Sequence, residues 1–101
     1  MNVLARVKDL HVGLRAFRQR NWSMAAKALP PAAEAFPNAW LWLKCGHALK
    51  EDGRFAEALL AYRKAGAARD AFWAPHFFMA QMLNRLGRAE EAKWSAGRAL
   101  G

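Results

Sequence analysis

The stretch Leu49-Lys50-Glu51-Asp52-Gly53-Arg54-Phe55-Ala56-Glu57-Ala58 returns 34 positions later as Leu83-Asn84-Arg85-Leu86-Gly87-Arg88-Ala89-Glu90-Glu91-Ala92. In this register Leu49, Gly53, Arg54, Glu57, Ala58 and Ala65 are matched by Leu83, Gly87, Arg88, Glu91, Ala92 and Ala99. A period of this length marks a stack of small supersecondary units, each unable to bury its apolar face alone. Asp52-Gly53 and Leu86-Gly87 each close an apolar-periodic run, and glycine enters the left-handed backbone of a helix stop without steric cost. An arginine and then a glutamate follow, so the next helix begins with negative charge where its dipole favours it.

Punctuation elsewhere completes the pattern. Asn21 before Trp22 and Asn38 before Ala39 are candidate N-caps. The signals predict six helices, over 3–19, 22–36, 39–52, 55–68, 73–86 and 88–100. Connections this short force consecutive helices into antiparallel pairs. Trp42, Cys45, Gly46 and Leu49 form one stripe of the third helix, and Phe55, Ala58, Tyr62 and Ala65 form the facing stripe of the fourth. Gly46 and Ala58 let the backbones approach, while Trp42 and Tyr62 fill the space beside them. Pro30 and Pro31 fall inside the second helix and predict a kink or restart near Leu29, since proline removes a helical donor and clashes with the preceding turn. Asp70 is a candidate cap for the fifth helix.

Composition fits one folded domain over residues 1–101, with 54% hydrophobic residues, abundant alanine and no threonine or isoleucine. Arg6, Lys8 and Asp9 interrupt the apolar residues at the start, unlike a signal peptide's core, and no apolar run suits a membrane span. A cytoplasmic address is the expectation. Cys45 is the sole cysteine and lies on an apolar stripe, so it reads as a buried small hydrophobe. Net charge is +8, from 16 basic and 8 acidic residues. Arg6, Lys8, Arg15, Arg18, Arg20 and Lys27 face only Asp9 in the first 27 residues. Such an excess suits either an anionic partner or a solvated basic helix face.

The spacing resembles the tetratricopeptide repeat, whose pattern is Trp-x2-Leu-Gly-x2-Tyr, then Ala-x3-Phe, then Pro. The second copy gives Trp42-x2-Cys45-Gly46-x2-Leu49 and Ala58-x3-Tyr62. The third gives His76-x2-Met79-Ala80-x2-Leu83 and Ala92-x3-Ala96. The first gives Asp9-x2-Val12-Gly13-x2-Ala16 and Ala25-x3-Leu29, with Pro37 at the closing position. The resemblance implies an all-α, helical-hairpin repeat solenoid. It would hold three motifs, at about 6–38, 39–72 and 73–101, in a right-handed superhelix of six antiparallel helices.

In that family the first helix of each pair lines a concave groove. The resemblance therefore assigns Leu10, Leu14 and Phe17 to the groove from the first copy. It assigns Trp40, Leu43, His47 and Lys50 from the second, and Phe77, Gln81 and Asn84 from the third. Phe78 and Arg85 fall at the margin, and Arg15, Arg18 and Lys50 form a basic rim. Trp40 and Leu43 cannot share the Trp42 face, because a helix turns by about 100° per residue. Packing against neighbouring helices is the competing reading for this stripe, Leu14 and Leu43 above all. The family's chaperone-tail clamp grips a C-terminal carboxylate with lysine, asparagine and arginine. The matching places here hold Leu10, Leu14, Lys44, Ala74 and Phe78, so only Lys44 fits.

No catalytic constellation emerges. His11, His47 and His76 lie in different copies without metal-ligand spacing, and His76 stands at the motif's tryptophan position. Neither a cofactor nor a metal is expected, and the chain reads as a non-enzyme that holds a partner peptide or helix in a largely apolar groove. The last helix leaves a flank with Lys93, Trp94 and Leu100 as a possible end-face interface, for a homodimer or a downstream domain. A repeat domain of a larger enzyme, such as a bacterial glycosyltransferase, is the alternative from another class, and homo-oligomerisation is a third. Nucleic-acid binding ranks last, because no aromatics alternate with the basic cluster.

Overall fold

The computed structural model describes residues 3–69 and 73–87. They form five helices: α1 (Val3–Arg18), α2 (Trp22–Ala35), α3 (Ala39–Glu51), α4 (Phe55–Ala68) and α5 (Trp73–Arg85). The described residues contain no strand. The expected sixth helix over 88–100 and the Asp70 cap lie outside the described residues. The main packing is serial, α1 on α2, α2 on α3, α3 on α4 and α4 on α5, as in a stacked helical repeat.

The helix boundaries follow from local chemistry. Asn21 Oδ1 accepts the Met24 N–H at 3.3 Å to open α2, and Asn38 Oδ1 accepts those of Trp40 and Leu41 at 2.9 and 3.2 Å to open α3. Gly53 closes α3 at φ +80 and Gly87 follows α5 at φ +75, both in the left-handed region. Arg20 does the same for α1 at φ +57, without being a glycine.

Each hairpin closes around one glycine. A Cβ on Gly13 would lie 2.5 Å from Leu29 Cδ2, and one on Gly46 would lie 2.5 Å from both Tyr62 Cδ1 and Cε1. These are the same contact in successive hairpins: Gly13 of α1 on Leu29 of α2, then Gly46 of α3 on Tyr62 of α4. Leu29, Cys45 and Tyr62 are fully buried there. Each large apolar side chain so buried contributes about 1.5–3 kcal/mol.

One half of an expectation is corrected. α2 does not restart at Leu29; it runs from Trp22 to Ala35 with Pro30 and Pro31 inside it. The prolines remove the donors that would close on the Ala26 and Lys27 carbonyls. Leu29, Ala32 and Ala33, all fully buried, hold the turn in helical form against its neighbours. Tertiary packing outweighs the local preference.

Candidate functional site

The odd-numbered helices carry the candidate site. On α3, Trp40 and Leu41 come first and Lys44, Lys50 and Glu51 follow; α5 likewise runs from apolar residues to Arg85, and α1 ends on Arg15 and Arg18. Short connections make these helices parallel to one another, so the apolar starts of α3 and α5 share one edge and the basic ends of all three the other.

Among the described residues, hollows open along them. The first, about 340 Å³, joins Leu10 and Leu14 of α1 to Trp40, Leu41 and Lys44 of α3, with Phe36 and Asn38 from the connection. The second, about 630 Å³, is lined by Phe17, Arg18, Arg20, Trp22, Lys44 and Glu51. The third, about 470 Å³, joins Lys50, Glu51 and Phe55 to Gln81, Asn84 and Arg85 of α5. Lys44 is common to the first two and Glu51 to the last two. The hollows therefore run on as one surface, apolar at one end and cationic at the other.

Most of the expected groove residues meet on this surface. Leu10, Leu14, Phe17, Trp40, Lys50, Gln81 and Asn84 line one hollow or another. Trp40 is 54% exposed and Phe77 44%, large values for aromatics in a folded chain. Leu43 is a correction: at 6% exposure it belongs to the core, because the packed helices cover that side of α3. Arg85 lines the third hollow rather than standing at the margin. Arg15 is exposed but lines none of the three. Lys44, the one residue that fits the carboxylate clamp, lines two of the hollows. Lys93, Trp94 and Leu100 lie outside the described residues.

Beneath the surface, His47 is built into an aromatic cluster. Its Nδ1 lies 2.7 Å from the Tyr62 hydroxyl, one donating to the other according to the imidazole tautomer. Its ring stands edge-on to Phe78 at 4.5 Å, and Phe78 stacks on Tyr62 at 5.4 Å. Burial first, then the charges of Lys50 and Lys44, push the imidazole down to about 4, so it is neutral at physiological pH. Burial also holds the Tyr62 phenol well above its usual range. His47 is thus half a groove residue and half a core residue.

His76 is buried at the α4–α5 contact, its Cε1 3.2 Å from where a Cβ on Gly66 would lie. Neither ring nitrogen has a hydrogen-bond partner. It fills the position held by Trp42 in the preceding hairpin. Burial pushes the Cys45 thiol up to about 12, which leaves it unreactive. Among the described residues no three of His, Cys, Asp or Glu gather as metal ligands, and no helix is long and apolar enough to cross a membrane.

No family model matches the sequence, and the curated proteins yield no significant match. Solved structures of MamA are similar to it. MamA MSR-1 is 28% identical with a TM-score of 0.82, covering 90% of this chain and 53% of its own. MamA AMB-1 is 29% identical with a TM-score of 0.84, covering 90% and 50%. A MamA RS-1 double mutant, at 17% identity and a TM-score of 0.82, covers 94% and 54% and shares the fold. The chain spans about half the length of these structures. The fold is all-α, a helical-hairpin repeat.

Proposed function

We propose that this chain is a non-catalytic interaction module of three tetratricopeptide-type repeats that holds a peptide or helix of a protein partner along its odd-numbered helices. Residues 1–101 act as one unit in this reading, with repeats near 6–38, 39–72 and 73–101 and a cytoplasmic address. The supporting observation is the Leu10–Leu14–Trp40 hollow, with Trp40 54% exposed above it and Phe77 44% exposed on the neighbouring helix. Exposed aromatics beside an apolar hollow are typical anchors, and each is worth about 2 kcal/mol or more when a partner buries it. A helix laid into a groove suits such a surface. The likeness to the helical-repeat MamA structures favours a scaffold. So does the chemistry nearby: His47 is already bonded to Tyr62 and Cys45 is buried.

The test uses dodecapeptides selected from a displayed random library on the full chain. Binding of the selected peptides, read by fluorescence polarisation, is expected to weaken at least about tenfold in a Trp40→Ala/Phe77→Ala variant. A double variant that keeps its helical circular dichroism and binds those peptides unchanged overturns the groove.

A further inference from the structure

The cations of the described helices are not placed as helix electrostatics alone would place them. Positive charge is favoured in the last turn of any helix. Yet α1, α3 and α5 carry Arg15 and Arg18, Lys50 and Arg85 there, whereas α2 and α4 carry none. Last-turn positive charge is confined to the odd-numbered helices, which supply most of the lining of the hollows.

The way three cations that line the hollows are held is the second observation. Lys44 Nζ lies 4.5 Å from the centre of the Phe17 ring, Lys50 Nζ 5.3 Å from that of Phe78, and the Arg85 guanidinium 5.1 Å from that of Phe55. A ring face positions a cation without cancelling its charge, as a carboxylate would. Carboxylates elsewhere are paired: Asp9 with Arg6, Glu34 with Lys64, Asp52 and Glu57 with Arg54. Of the described acids only Glu51 lines the hollows, 3.7 Å from Lys50. One carboxylate stands among Arg18, Arg20, Lys44, Lys50 and Arg85.

Resting on the groove reading above, we propose that the partner segment is acidic, with side-chain carboxylates laid along Lys44, Lys50 and Arg85 and apolar residues entering the Leu10–Leu14–Trp40 hollow. The two ends of the surface then each meet their complement. Opposite charge speeds encounter and fixes the direction of the bound segment, while the apolar end supplies most of the affinity. Side-chain carboxylates are the ligand rather than a chain terminus, since of the clamp positions only Lys44 carries a suitable group. A nucleic acid fits less well, because the rings beside the basic residues, Phe17, Phe55 and Phe78, lie beneath the cations rather than interleaved with them for stacking on bases.

The experiment sequences the dodecapeptides selected on the full chain and measures their amidated forms. Net negative peptides with an apolar cluster toward one end are expected. Their affinity should fall as salt is raised several-fold, and fall about tenfold or more in a Lys44→Glu/Lys50→Glu variant. Lys50→Gln and Arg85→Gln, milder surface changes, give the same direction if the double reversal does not fold. Selected peptides without acidic excess, weakened by Trp40→Ala/Phe77→Ala but indifferent to Lys44→Glu/Lys50→Glu, overturn the acidic partner and leave the groove standing. Peptides indifferent to both variants overturn the groove itself. Amidated peptides that bind only when their terminal carboxylate is restored overturn the side-chain assignment. An oligo-dT dodecamer that outbinds every peptide, and loses this in Lys44→Glu/Lys50→Glu, transfers the cations to nucleic acid.

Discussion

Arg20 occupies in the first hairpin the backbone position that Gly53 occupies in the second. The Arg20 N–H donates to the Phe17 carbonyl at 3.1 Å and the Asn21 N–H to that of Ala16 at 2.8 Å. The Gly53 N–H donates to Lys50 at 3.0 Å and the Arg54 N–H to Leu49 at 2.8 Å. Both residues have positive φ, +57 and +80. A side chain in left-handed backbone costs about 1–2 kcal/mol, which a glycine avoids at some entropic cost in the unfolded chain. Arg20→Gly is therefore expected to stabilise the fold by about 0.5–1 kcal/mol. Gly53→Ala should destabilise it by about 1 kcal/mol through backbone strain alone, because a Cβ there meets nothing within 4 Å. Urea denaturation midpoints of the two variants check both signs.

The repeated glycine contact makes a graded prediction. Gly13→Ala drives its Cβ mainly into the Cδ2 and Cγ of Leu29, a side chain that can change rotamer. Gly46→Ala drives its Cβ into three ring atoms of Tyr62, whose fully buried ring has less room to yield. Both should destabilise, within the roughly 1–3 kcal/mol typical of overpacking, and Gly46→Ala should be the worse. Equal losses in chemical denaturation would mean that Tyr62 is as free to move as Leu29.

Pro30 and Pro31 supply a third test. Each removes one backbone hydrogen bond from α2, and neither lies in the first turn, where proline is tolerated. Pro31→Ala is expected to restore a donor to the Lys27 carbonyl and to raise stability by about 1–2 kcal/mol, less than the full helix-interior cost because proline also restricts the unfolded chain. Thermal unfolding reads the change. A loss of stability instead would show that the proline ring packs better than alanine.

Features governed by neighbouring residues are legible in the sequence, and those governed by a third helix are not. Asn38 caps α3 and Gly53 follows its end because caps and left-handed stops depend on a residue's own chemistry. The continuity of α2 through Pro30 depends on burial of Leu29, Ala32 and Ala33, which no local signal carries. Arg20 offers no residue-type clue to positive φ; only alignment with Gly53 one repeat later suggests it. In the candidate site, Trp40 and Phe77 are assigned by the repeat resemblance, and both are exposed. Leu43 is misplaced because α3 is apolar on two sides, and which side is covered is decided by the helices packed on it. The place of Lys44 over the Phe17 ring is not legible, because that ring comes from another hairpin.

The His47–Tyr62 pair ties stability to pH. Free histidine titrates near 6.5, whereas burial beside Lys50 and Lys44 holds folded His47 at about 4. The unfolded chain takes up this proton first as pH falls, so it binds more protons than the folded chain between those values. The stabilisation is thus complete above pH 6.5 and drains away as pH drops through 4. Wild-type protein is expected to lose more stability between neutral and pH 4.5 than a His47→Gln variant, which cannot titrate there. Comparing the two removes the shared contribution of the carboxylates. Urea midpoints measured across that range check it, and parallel pH profiles would show that His47 protonates freely in the folded chain. Tyr62→Phe separates burial from bonding. It deletes the 2.7 Å hydrogen bond while keeping the stacked ring, so the pH dependence should persist at lower overall stability.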